Sequence, residues 1–374
     1  MIALVSAVLT PDAARALERE RSWELRTVEQ ISTAVSQMPE RDRLGVRALI
    51  VEAEPVDGPL IAQLERLELI ACLRSDPVNV DVAAATARGI PVVHTPGRNA
   101  EAVADFTLGL CLAAVRSIAV THHLIVDGDL TGSPATQGAG SVPGDKIWRP
   151  ADPDMPVPYV LYRGRLLSSL VVGVIGYGAV GRAVARRFAG LTRAVQVSDP
   201  AVSPEAIKAD GFISASLPEL LSAADVVTIH ARSKTVIIGP GELRQMKPGG
   251  ILINTARATV LDYDALTESL ESGQLRSAAL DVYPEEPLPA SSPLRHQRGL
   301  TLTPHLAGAA AEVADRQSEI FIEAVRGMYG GSAWDDLPIR NQELRSGWTA
   351  RHLAGAHGGD GSGTDDTVTR LEGA

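Results

Sequence analysis

The run Val171-Val172-Gly173-Val174-Ile175-Gly176-Tyr177-Gly178-Ala179-Val180-Gly181 constrains the chain more than any other stretch, because an apolar strand stops on a tight turn and a helix opens directly behind it. Gly176 permits the turn, Gly178 lets a pyrophosphate come up to the backbone, and Gly181 allows close packing of the new helix. The positive end of that helix then faces the phosphates. The candidate dinucleotide contacts are therefore Gly176, Tyr177, Gly178, Ala179, Val180 and Gly181. Asp199 ends the next apolar run, just before Pro200, where a carboxylate can accept hydrogen bonds from both adenosine ribose hydroxyls. A 2′-phosphate would be repelled there, so the expected cofactor is NAD. An acid that merely opens the Asp199-Pro200 turn is the plainer alternative.

The fingerprint sits within a wider alternation. Short apolar runs at 3–7, 48–51, 69–73 and 91–95 are separated by segments of helical spacing such as 11–18 and 80–87. The alternation recurs at 171–175, 194–198, 226–230, 251–254, 278–282 and 300–303. It predicts an α/β protein with two doubly wound parallel-sheet domains, the second of them a Rossmann NAD-binding domain. A chain of 374 residues, 45% apolar, can fill two such cores. Helical spacing over 309–329 could carry the chain back to the first unit. The expected division is 1–120 with 309–345, then 121–308, with a loop insertion at 128–165 and a tail of disordered composition at 346–374. Within the insertion, Trp148 and Tyr159 are expected as packing anchors, although Trp148 and Arg149 could reach a substrate.

A net charge of −10 disfavours nucleic-acid binding, which relies on Lys and Arg neutralising phosphates. The first ten residues read as a β-strand, with an apolar run only about half a membrane span long. The stretch 102–126 is interrupted by Asp105, Arg116 and two histidines, a pattern suited to a helix buried between domains. Cys72 and Cys111 each lie in an apolar run as small buried hydrophobes, with no disulfide framework and no metal site in view. The expectation is a soluble, cytoplasmic protein with small-molecule partners, no nucleic acid and no membrane.

Three further residues follow predicted strands of the second unit, where open α/β sheets place their ligands: Arg257, Glu286 and His305. Hydride transfer to a 2-keto acid needs a cation to bind the carboxylate and polarise the carbonyl, and an acid to protonate the alkoxide. Arg257 suits the first task through its planar fork. His305 suits the second, since imidazole both gives and takes protons near neutrality. Glu286 could orient the ring and hold it protonated. Singly, each has an ordinary explanation: a surface ion pair, an exposed turn carboxylate, a satisfied histidine after Pro304. Their shared position behind a dinucleotide fingerprint is what joins them.

The chain resembles the D-isomer-specific 2-hydroxyacid dehydrogenase family over roughly residues 45–330, in its phosphoglycerate-dehydrogenase-like branch. The matching motifs are Asn79-Val80-Asp81, Arg88-Gly89-Ile90-Pro91-Val92, Thr95-Pro96-Gly97-Arg98-Asn99 leading to Asp105, the glycine loop, Met246-Lys247-Pro248-Gly249, Ile253-Asn254-Thr255-Ala256-Arg257, Leu280-Asp281-Val282, and Leu302-Thr303-Pro304-His305-Leu306-Ala307-Gly308. The resemblance implies the same three catalytic residues, choosing Glu286 over Glu285 because it precedes Pro287. It further implies that Asp281 contacts the nicotinamide carboxamide, that Thr107, His230 and Ala256 line the cofactor cleft with Gly308, that the first domain is flavodoxin-like and binds substrate, and that the protein forms homodimers.

By the same resemblance, a glycine-containing loop after the 69–73 strand should offer N–H groups to the substrate carboxylate. Here that loop reads Arg74-Ser75-Asp76-Pro77. Pro77 cannot donate and Asp76 repels an anion, so either the acid binds differently or a neighbour such as Arg74 or Arg98 compensates, and Arg74, Ser75, Asp76, Arg98 and Asn99 are the candidate substrate contacts. Ala258 replaces the usual glycine after Arg257, and the segment after His230 is shortened and lacks its proline. The implied reaction is interconversion of a D-2-hydroxy acid with its 2-keto acid. The alternatives are a formate or phosphite dehydrogenase on the same scaffold, against which Glu286 stands where formate enzymes carry Gln, or an NAD(H)-sensing protein like the family's corepressors.

Overall fold

A computed structural model describes residues 1–128, 130, 157–330 and 332–345. Trp148, Arg149, most of the 128–165 insertion and the 346–374 tail lie outside the described residues. The chain divides into two units, Met1–Arg98 with Ala311–Ala374, and Asn99–Ala310.

In the first unit, strands β1 (Ile2–Val5), β2 (Glu24–Thr27), β3 (Val46–Val51), β4 (Leu69–Cys72) and β5 (Val92–His94) pair in the order β2-β1-β3-β4-β5. All pairs are parallel, and this is the flavodoxin-like order. The strands β1 and β4 are buried along their whole length, which is why they read as unbroken apolar runs. Strand β2, Glu-Leu-Arg-Thr, is an edge strand without a buried residue and carries no apolar run by which its sequence would reveal it. The helix Glu312–Gly330 lays Phe321, Ile322, Val325 and Met328 into the same core as Ala13, Leu17 and Trp23.

The second unit contains β6 (Val171–Ile175), β7 (Ala194–Ser198), β8 (Ile213–Ser214), β9 (Val226–Ile229), β10 (Gly250–Asn254), β11 (Leu275–Leu280) and β12 (Leu300–Leu302). Their order, β12-β11-β10-β9-β6-β7-β8, reverses direction between β6 and β9, the switch point at which doubly wound sheets bind dinucleotides. Two-residue β8 escapes sequence patterning because it is a short edge strand.

Two expectations need correction. The first unit ends at Arg98, not near residue 120, because the helix Ala100–Val115 packs Ala104, Leu110, Cys111 and Ala114 into one core with Val172, Val174 and Val184. Nor is 102–126 one buried helix. The chain bends by 65° after Val115, and the following helix, Ile118–Val126, has no buried residue. No single helix among the described residues is long and apolar enough to cross a membrane. Both cysteines are buried and free, and burial pushes their thiols up to about 11 for Cys72 and about 12 for Cys111.

Candidate active site

Each glycine of the fingerprint has a separate steric reason. Gly176 has φ +92°, and a Cβ there would lie 2.6 Å from the Ala231 nitrogen. A Cβ on Gly181 would run into the Gly176 carbonyl oxygen, whereas one on Gly178 would meet no atom within 4 Å, leaving that backbone open to an approaching phosphate. Gly178 and Ala179 are exposed where the helix Ala179–Phe188 starts. Asp199, at the end of β7, accepts the Tyr177 N–H at 2.6 Å and the Ala201 N–H at 2.8 Å. A carboxylate has about four acceptor positions, so capacity remains for two ribose hydroxyls. These residues fit a dinucleotide.

The Tyr177 side chain, by contrast, is directed into the fold. Its hydroxyl donates to Asp210 at 2.8 Å, Phe212 meets its ring edge-on at 6.1 Å, and the Arg182 guanidinium covers it at 4.3 Å. Burial, with the Asp210 bond, pushes this phenol up to about 12. Only its backbone remains for a cofactor. Thr107 is likewise fully buried, bonded to the Thr255 hydroxyl at 3.0 Å. His230 makes one ring contact, Nε2 to Thr228 Oγ1 at 2.9 Å, while its Nδ1 is buried without a hydrogen-bond partner. Burial drives its pKa down to about 3, so the ring is neutral at physiological pH.

Arg257, Glu286 and His305 all belong to the second unit and follow β10, β11 and β12 respectively. Beyond β10, the fully buried side chain of Asn254 accepts the Ala256 N–H at 3.0 Å and donates to the Arg257 carbonyl at 2.9 Å. That clasp fixes the extended backbone at Arg257, whose side chain is exposed. Beyond β11, Glu286 Oε1 accepts the Tyr283 N–H at 2.9 Å and Oε2 meets His305 Nδ1 at 2.6 Å. Burial would raise the Glu286 pKa, but the His305 bond, the Tyr283 N–H and the charges of His305 and Arg257 outweigh it and hold the carboxyl below its ordinary value. Glu286 is thus an anion facing the ring.

His305 itself has φ +55°, a left-handed conformation unusual for a residue with a side chain. Asp281 holds that turn in place. Its carboxylate is fully buried and accepts the Thr303 hydroxyl at 2.6 Å, the Leu306 N–H at 2.9 Å and the Ala307 N–H at 2.8 Å. Asp281, which the resemblance names as a nicotinamide contact, holds the turn that carries His305 through three of its acceptor positions. Tyr283 braces the same region by donating to the carbonyls of Leu280 at 3.0 Å and Thr303 at 2.9 Å.

In the first unit, residues 74–77 follow β4. The Arg74 carbonyl accepts the Thr95 N–H at 2.8 Å, and the Ser75 carbonyl lies 3.1 Å from His94 Nδ1, from which it can only accept. Arg98 does not offer a spare cation. Its guanidinium pairs with Glu52 at 2.7 Å and donates to Gln317, a buried residue that itself donates to the Val8 carbonyl at 2.8 Å. Asn99 belongs to the second unit, where a Cβ on Gly308 would lie 2.7 Å from its amide nitrogen. Asn254 and His94 were not singled out in the sequence. Asn254 could have been, as the one polar residue ending an apolar strand beside Arg257; nothing local distinguishes His94.

Residues 158–307 match the family described as D-isomer specific 2-hydroxyacid dehydrogenase, NAD binding domain. The chain is 32% identical over 298 residues to D-3-phosphoglycerate dehydrogenase of Archaeoglobus fulgidus, covering 79% of this chain and 50% of that protein. It is 32% identical over 274 residues to glyoxylate reductase of Korarchaeum cryptofilum, covering 72% and 75%. The crystal structure of the TT0316 protein of Thermus thermophilus superposes with a TM-score of 0.67 at 30% identity, covering 90% of this chain and 98% of that one. The chain spans about half the length of the phosphoglycerate dehydrogenases it matches.

Proposed function

The chain belongs to the D-isomer-specific 2-hydroxyacid dehydrogenase family, and from that premise we propose that it interconverts a 2-hydroxy acid, of the D configuration, and its 2-keto acid with NAD(H). The cofactor, when bound, supplies or accepts the hydride. Gly176 to Gly181 and Asp199 hold it, the first through backbone N–H groups and the second through the ribose. Arg257 binds the substrate carboxylate and polarises the adjacent carbonyl. In the reductive direction, His305 Nε2 gives a proton to the oxygen of the nascent alcohol, and in oxidation it takes that proton back. Glu286, anionic and bonded to Nδ1, fixes which ring nitrogen faces the substrate.

The observation that carries this reading is the 2.6 Å contact between His305 Nδ1 and Glu286, with the Arg257 charge acting on the same carboxylate. That pair argues against a purely nucleotide-sensing role. The test is NADH consumption over a panel of 2-keto acids, together with NADH binding followed by fluorescence. Turnover that disappears in Arg257→Ala and His305→Ala while NADH still binds supports the assignment; wild-type rates in both variants would refute it. Tight NADH binding with no consumption across the panel would favour a sensing role.

A homodimer and a cytoplasmic setting belong to the same proposal. Ile118, Ile125 and Val126 are exposed on one helix, and Tyr159, Val160, Leu161 and Leu166 on the segment whose Gly164 lies against Val115 and Arg116, just before that helix. This apolar surface would pair with its equivalent on a second copy. Light scattering of the wild type and of Ile125→Glu would check it, the variant being expected as monomer.

A further inference from the structure

Between the end of β6 at Ile175 and the helix start at Ala179 the loop consists of Gly176, Tyr177 and Gly178. Glycine restricts its own backbone least of all residues, so a loop that is largely glycine loses much conformational freedom when it orders. Tyr177 carries the one side chain available to hold it. That side chain is 1% exposed and belongs to the core that contains Val174, Val197 and Ile207. Packing alone would be served as well by a phenylalanine. The hydroxyl adds a directed bond of 2.8 Å to Asp210 Oδ2, at the C-terminal end of the helix Pro204–Ala209.

The same carboxylate oxygen accepts from Arg182, whose guanidinium also lies 4.3 Å from the centre of the Tyr177 ring. Arg182 belongs to the helix that the loop opens. The loop, that helix and the connection from β7 to β8 are thereby closed on one another through a single carboxylate. Burial, with the Asp210 bond, pushes the phenol up to about 12, so it remains a donor at any physiological pH. Tyr177 is held from its backbone as well. Its N–H donates at 2.6 Å to Asp199, the carboxylate placed for the adenosine ribose. The position of Tyr177 therefore bears both on the open backbone at Gly178 and on the orientation of Asp199.

We propose that the Tyr177 side chain, anchored on Asp210 and covered by Arg182, is a positioning residue that sets the glycine loop and Asp199 for NAD(H) before the cofactor arrives. It acts without touching the dinucleotide. A loop ordered in advance binds more tightly, because association then has less of the chain to immobilise. The glycine pattern requires neither a tyrosine at 177 nor an acid at 210, and the two lie 33 residues apart. The inference rests on the cofactor assignment, and its test separates the two.

Dissociation constants of NADH, by fluorescence, and of ADP-ribose, by calorimetry, are compared across a set of variants. Tyr177→Phe keeps the ring and removes only the hydroxyl, Asp210→Ala removes the acceptor, and Asp210→Asn keeps one. Tyr177→Phe and Asp210→Ala should each weaken both ligands by about fivefold, the scale of one hydrogen bond. The double variant should be no weaker than either single one, since both remove the same contact. Asp210→Asn should recover most of the affinity, and Glu205→Gln, an equal charge change at an exposed position of the adjoining helix, should bind as the wild type does. In the ligand-free protein, amide exchange at Gly178 and Ala179 should quicken in the two weakened variants while β6 exchanges as before. Wild-type affinity in Tyr177→Phe overturns the proposal. So do additive losses in the double variant, or faster exchange throughout β6, which would mark a general loosening of the domain. A wild type that binds neither ligand would refute the cofactor assignment itself.

Discussion

At the C-terminal edge of the seven-stranded sheet, the turns carrying Arg257 and His305 are each clasped by a fully buried polar side chain, Asn254 in one case and Asp281 in the other. At the same edge of the five-stranded sheet, the carbonyls of residues 74–77 all accept: Arg74 from the Thr95 N–H, Ser75 from the half-buried His94, Asp76 from the Val78 N–H and Pro77 from the Val80 N–H. A clasp of buried hydrogen bonds tolerates little change, because removing either partner strands a desolvated group. A loop tied through its own carbonyls places few demands on its side chains. The difference marks the first edge as the rigid one and leaves the second freer to vary in its side chains.

The largest expected effect tests the rigid edge directly. His305→Ala should lower kcat by about a thousandfold, the usual scale of general acid–base catalysis, with NADH affinity nearly unchanged; stopped-flow single-turnover rates would reveal a smaller loss. Asp281→Ala comes next, since it strands the Leu306 and Ala307 N–H groups and frees a left-handed His305. Stability should fall by about 3 kcal/mol in urea unfolding, and kcat should fall with it. A variant with full activity would show that the clasp does not position His305. Asn254→Ala should cost about tenfold in kcat/KM through misplacement of Arg257, with KM carrying most of the change.

The pH dependence of stability separates the edges further. His230 stays neutral when folded, its pKa being pushed down to about 3 by burial, whereas an unfolded histidine titrates near 6.5. Between those values the unfolded chain binds more protons, so stability falls as pH drops from about 6.5 toward 3. His230→Asn should flatten that part of a Tm-against-pH curve, and an unchanged slope would assign it to other groups. The smallest effect is expected on the freer edge: Arg98→Gln should lose about 1 kcal/mol of stability from the Glu52 pair and leave KM within about twofold. A large rise in KM would return Arg98 to the substrate.

Both sheets were legible in the sequence because central parallel strands are buried on two faces and must be apolar throughout, as in Val171–Ile175 and Leu69–Cys72. The edge strands Glu24–Thr27 and Ile213–Ser214 lack that demand and left no pattern. The glycine loop was legible because Gly176 and Gly181 meet steric limits that any sequence with this turn must respect, while Gly178 keeps its backbone open. Arg257, Glu286 and His305 were legible as residues but not as an arrangement, since their proximity depends on turns fixed by Asn254 and Asp281 from inside the core. Tyr177 and Arg98 illustrate a related point. Chain position places them beside a site, but side-chain direction is decided by partners distant in sequence, Asp210 and Phe212 for one, Glu52 and Gln317 for the other. The sequence by itself determined the alternation of elements, the cofactor loop and the chemical types available. Only the tertiary structure decided which polar groups are held in the interior, because hydrogen-bond satisfaction of buried groups depends on residues that the sequence keeps far apart.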